Sequence, residues 1–170
     1  MLGEGLAGST GPEEHGALSG GPRHGRPEAT NREATMATTH VDLRSMPGTQ
    51  AATGWAGGHT VTVDRAVGVA GGAGLGFNGG QLLALAIGGC FCNDLHYTAH
   101  AMGVILTEVS VSVEVDFIGD PLMATGARLT AQVSALPRDV DIEDLINQAF
   151  AVSTVGNSLR RGVHVELAAA

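Results

Sequence analysis

Both cysteines of the chain stand two positions apart in the stretch ALAIGGCFCNDLHYTAHAMG, residues 84–103, with two histidines following. Such a pair can be a redox couple, half of a metal site, or one functional sulfur beside a packing residue. Each helical residue turns by about 100°, so Cys90 and Cys92 project about 160° apart and cannot bridge without unwinding the helix. The same arithmetic makes two faces. Asp94 and Tyr97 stand one and two turns beyond Cys90 and, with Cys92, are accessory candidates, whereas Cys92, His96 and His100 form a separate stripe at steps of four. That stripe has thiolate and imidazole donors able to converge on a cation, with His164 as a fourth. Tetrahedral sites usually draw ligands from two elements, so the three are weak metal candidates and an interface or half-exposed surface is the simpler account.

A cysteine reacts as its thiolate, which a neighbouring cation or hydrogen-bond donor must favour. No basic side chain lies within a turn of Cys90 on its helix, and a carboxylate at Asp94 opposes the anion by like charge. Activation therefore has to come from another segment or another subunit; otherwise Cys90 is a buried structural cysteine. Gly88 and Gly89, directly before it, each cost about 1 kcal/mol in helix propensity, which predicts that other chain passes close by.

The elements that must position these residues are legible from periodicity. HTVTV alternates as a strand and pairs in a hairpin across Gly57 and Gly58. A glycine-rich loop follows, in which a G-x-G-x-x-G spelling lacks the preceding buried strand and the later acid of a dinucleotide site. Asn78 then caps a helix over Gln81 to Met102, stopped by Gly103. Val109, Val111, Val113 and Val115 alternate with polar residues in a strand, GDP turns the chain, and ARLTAQVSAL returns antiparallel. Asp141 or Asp139 caps a last helix running towards Gly162, and VHVEL closes as a strand. No βαβ unit repeats, so the fold class is α+β with a mostly antiparallel sheet packed on the long cysteine-bearing helix.

Composition bounds the function. At 170 residues and 44% hydrophobic, the chain suits one domain, whose core, with 4% aromatics, is built from Ala, Val, Ile and Leu. A net charge of -8 argues against nucleic acid as a partner. All basic residues are arginine, which excludes Schiff-base chemistry. Residues 1–35, rich in Gly, Pro, Glu and Ser, are expected to be a disordered tail ahead of a single domain over 36–170, with Met36 as an alternative start. No apolar run suits a membrane span and the opening lacks the features of a signal peptide, so a cytoplasmic protein with no membrane partner is expected.

NGGQLLALAIGGCFCNDLHYTAHAMGVILTEVSVSVEVDF, followed by a hairpin, a helix and STVGNSLRRGVHVEL, resembles the OsmC/Ohr family of thiol-dependent hydroperoxide reductases and their uncharacterised relatives, over residues 53–167. The resemblance implies an intertwined homodimer with sites at the subunit interface, a bacterial stress-response role and no cofactor. It puts Cys90 at the position of the sulfur that attacks peroxide. Its partners would be an organic hydroperoxide or apolar ligand and an external thiol reductant. The pattern is degenerate at two positions. Ser153 stands where the family has a resolving cysteine, and Gly80 where peroxide-reducing members have a glutamate. The family's activating arginine comes from the N-terminal hairpin, where Arg65 is the nearest candidate. Three functions follow for comparison: hydroperoxide reduction through Cys90, a non-enzymatic ligand-binding or redox-sensing member, and metal binding through Cys92, His96 and His100.

Overall fold

The computed structural model describes residues 36–169, so the tail expected over 1–35 lies outside the described residues. In chain order the elements are β1 (Asp42–Ser45), β2 (Ala52–Ala56), β3 (His59–Val63), α1 (Gly79–Ala101), β4 (Ile105–Ile118), β5 (Met123–Leu136), α2 (Ile142–Val152) and α3 (Thr154–Arg161). The fold is α+β and antiparallel throughout its two sheets. β2 and β3 form the hairpin that the alternation predicts, and β1 pairs with the free edge of β2. That first strand is absent from the sequence reading because its four exposed residues are too short a run for a period of two to register.

Asp64 fastens the glycine-rich segment to the end of β3. Its carboxylate accepts from the backbone N–H groups of Arg65, Ala73 and Leu75 at 2.8, 3.0 and 3.1 Å. The Leu75 bond foremost holds the Asp64 carboxyl below the ordinary value of 3.8, against the opposing effect of burial, with Ala73 and Arg65 adding to it. Phe77 then bridges Val63 in parallel register. A Cβ at Gly76 would overlap the Thr62 carbonyl, so only glycine allows that approach.

The loop delivers the chain to Asn78, which caps α1 in a reciprocal pair: Asn78 Oδ1 accepts from Gln81 N–H at 2.9 Å and Gln81 Oε1 from Asn78 N–H at 3.0 Å. α1 ends before Gly103, whose φ of 69° an L side chain rarely adopts. Ile87, Phe91, Leu95 and Ala99, at steps of four, are its buried apolar face. Phe91, Leu95 and Ala99 cluster with Leu145 and Ala149 of α2, and Val109 and Val111 of β4 and Val133 of β5 pack against them. Leu95 and Leu145 are fully buried, each worth about 2 kcal/mol of transfer free energy. A Cβ at Gly88 would stand 3.0 Å from Val113 Cγ2, so the missing side chain lets α1 lie on β4. Gly89 meets nothing within 4 Å, so in the single chain only the first glycine serves the predicted close approach.

Three expectations are corrected. The strands form two separate antiparallel sheets, β1-β2-β3 and β4-β5, rather than one. The last helix is two helices: Ser153, at φ -56° and ψ 115°, turns the chain between α2 and α3. VHVEL is not a strand. Val165 and Leu167 are 87% and 101% exposed, and among the described residues no strand pairs with residues 163–167 to complete their backbone hydrogen bonds.

Candidate functional site

Cys90 sits in the middle of α1, half-buried, and its sulfur reaches across to the start of α3. The Val155 N–H donates to Cys90 Sγ at 3.5 Å, and the Ser153 hydroxyl donates to it at 3.8 Å. Val155 belongs to the first turn of α3, whose N–H groups have no partner within their own helix. Ser153 is the N-cap residue but makes no side-chain capping bond; it turns its buried hydroxyl to the sulfur instead. The cysteine sulfur thus takes the place of a cap, at the positive end of a helix dipole. The sequence reading required activation from another segment, and this contact is the candidate for it. A backbone donor carries no side-chain signature, which is why residue types did not point to it.

The proton of the thiol has its own acceptor. Cys90 Sγ donates to Asp94 Oδ2 at 3.4 Å, one turn along the same helix face, and Asp94 is buried with 8% exposure. The arrangement therefore combines a sulfur, two donors to it and one acceptor from it. Chemically it can orient a thiol, receive its proton and stabilise negative charge on sulfur.

The other residues singled out by sequence lie elsewhere. Tyr97, on the Cys90 face by spacing, is 71% exposed. Arg65 Nη2 donates to the Gln50 carbonyl and to Gln50 Oε1 at 3.0 and 3.2 Å, and stands 3.7 Å from Asp64 Oδ1. Its Nε is buried without a partner among the described residues. None of these contacts brings it to Cys90 within one chain. A Cβ at Gly80 would lie 3.1 Å from Phe117 Cζ, so the ring borders the space a longer side chain would enter. Both cysteines are free thiols. His96 and His100 are exposed, His164 pairs with Glu166 at 3.6 Å, and among the described residues no group of three or more His, Cys, Asp or Glu could hold a metal ion.

A cavity of about 430 Å³ is lined chiefly by Leu83, Ile87, Val115, Leu129, Phe150 and Leu159, and Cys90 itself is not part of its wall. Ile87 is one turn before Cys90, and Gly156, also in the wall, follows Val155.

Cys90 on α1 is thus bonded to the turn that opens α3. The family model described as OsmC-like protein matches residues 71–168, which spans α1 through α3 and both partners of that contact. The chain belongs to the OsmC-like protein family. Solved structures share the fold. The OsmC like protein from Mycoplasma pneumoniae superposes with a TM-score of 0.62 at 15% identity, covering 76% of this chain and 91% of that one. An organic hydroperoxide resistance protein OsmC from Legionella pneumophila gives 0.57 at 22% identity, covering 74% and 91%. The organic hydroperoxide resistance protein OhrB of Bacillus subtilis gives 0.52 at 20%, covering 73% and 91%. No curated protein matches the sequence. Among the described residues of this OsmC-like chain, no helix is long and apolar enough to cross a membrane.

Proposed function

We propose that this OsmC-like chain is a thiol-dependent redox protein that reduces organic hydroperoxides through Cys90, as a homodimer using an external thiol as reductant. The observation carrying the reading is the sulfur at the first turn of α3, with Val155 N–H and Ser153 hydroxyl donating to it and buried Asp94 accepting its proton. The names of the hydroperoxide resistance relatives support the same chemistry. The apolar cavity offers room for the organic part of the peroxide.

In the proposed step the Cys90 thiol passes its proton to Asp94 as the sulfur attacks the terminal oxygen of the hydroperoxide. The O–O bond breaks, the sulfur keeps the hydroxyl as a sulfenic acid, and the departing alkoxide takes the proton from Asp94 and leaves as an alcohol. Sulfur loses two electrons and the peroxide gains them. Ser153 cannot form a disulfide, so one external thiol condenses with the sulfenic acid and releases water, and a second displaces the Cys90 thiol. Arg65 enters this reading only through a second copy of the chain, because its contacts within one chain are with Gln50 and Asp64.

A second reading, a redox-sensing or ligand-binding member, is favoured by the serine at the resolving position. The two separate in one experiment: consumption of cumene hydroperoxide with dithiothreitol, for wild type and Cys90→Ser. Steady turnover lost in Cys90→Ser supports the reductase. A single equivalent consumed with a persistent sulfenic acid supports the sensor, and equal rates in the two proteins remove Cys90 from both.

A further inference from the structure

Arg160 occupies the last turn of α3, where a cation also suits the negative end of the helix dipole. The structure gives it a fixed position at the cavity wall. Its Nη2 donates to Asn157 Oδ1 at 2.7 Å, and its guanidinium carbon lies 4.7 Å from the centroid of the Phe150 ring. That ring is itself held edge-on against Phe91, with centroids 6.2 Å apart. The cation is thus preorganised, and among the described residues no carboxylate pairs with it. Gly156, in the same wall, lies close to both groups: a Cβ there would stand 4.0 Å from Arg160 Nη2 and 3.5 Å from Ser153 Oγ, ordinary contact distances.

We propose that this cavity binds an organic monocarboxylate, its apolar body against Ile87, Val115 and Leu129 and its carboxylate on the Arg160 fork. A guanidinium matches a carboxylate with two parallel hydrogen bonds. One arginine balances one negative charge, whereas a phosphate dianion would leave a second charge against an apolar wall. The volume suits a chain of about eight carbons with room to spare. Binding of this anion goes beyond the thiol reading and requires no reaction at Cys90.

Isothermal titration of the reduced full chain with octanoate and with 1-octanol tests the site, and neither ligand oxidises sulfur, so its failure is separate from failure of the peroxide reading. Octanoate should bind about fivefold more tightly than octanol at low ionic strength, with the advantage shrinking as salt is added. Arg160→Met, which keeps a long side chain over Phe150, should abolish the advantage and leave octanol affinity in place. Equal affinities of wild type for the two ligands, a preference insensitive to salt, or no binding of octanoate at millimolar concentration would overturn the proposal without reference to any variant. So would an Arg160→Met protein that keeps the preference.

Discussion

Ser153 Oγ lies 3.8 Å from Cys90 Sγ, joining α1 to the turn between α2 and α3 across 63 residues of chain. A sulfur in place of that oxygen has to close to disulfide length, about 2.05 Å, for the two residues to bridge. In wild type, one equivalent of organic hydroperoxide should leave a sulfenic acid on Cys90 that a dimedone probe captures. In Ser153→Cys the product should be an internal disulfide, found by peptide mapping, with higher turnover on a dithiol reductant. A rapid Cys90 to Cys92 bridge in wild type would contradict the helical geometry of α1.

Asp94→Asn keeps the shape and the hydrogen-bond acceptor of the side chain but removes its basicity. Peroxide consumption at neutral pH should fall by about 100-fold, the usual scale of a lost general base. An unchanged rate at neutral pH would make Asp94 a packing partner only.

The depressed Asp64 carboxyl predicts a particular acid response. Because its folded value lies below the ordinary 3.8, the stability it contributes is complete above that value and is lost as pH falls through the lower folded value. Asp64→Asn should therefore melt below wild type at neutral pH, with the gap closing only below about pH 4. Amide exchange at Ala73 and Leu75, the N–H groups its carboxylate holds, should quicken in the variant even at neutral pH. Unchanged exchange there would sink this account of the loop.

Leu85, Gly89, His96 and His100 are exposed and fall within about 60° of one another around α1. With Val163, Val165 and Leu167 also exposed, the single chain leaves surfaces that a second copy can cover. Sedimentation should find wild type dimeric at micromolar concentration. Gly89→Trp, at a position with nothing within 4 Å, should abolish that dimer because a large side chain there blocks close approach of the helices. A folded wild-type monomer at micromolar concentration would count against the interface.

Periodicity and capping determined much of this protein without any structure. The four inward valines of β4, the Asn78 cap, the Gly103 stop and the hairpin at Gly57 are local patterns, and helical arithmetic alone separated Cys90 from Cys92 and placed Asp94 on its face. The glycine before the sulfur was also legible, although only tertiary packing showed that Gly88 faces Val113 and Gly89 faces open space. Three features depended on the tertiary fold. The break at Ser153 is one, since a serine within a helical pattern gives no sign of where its hydroxyl will find a partner. The Val155 N–H on the sulfur is another, because backbone donors have no residue type, and Arg160 at the cavity wall is the third. VHVEL marks the opposite limit: an alternating run states a preference for strand, but a strand exists only when a neighbouring edge satisfies its backbone, and that edge lies outside the run itself.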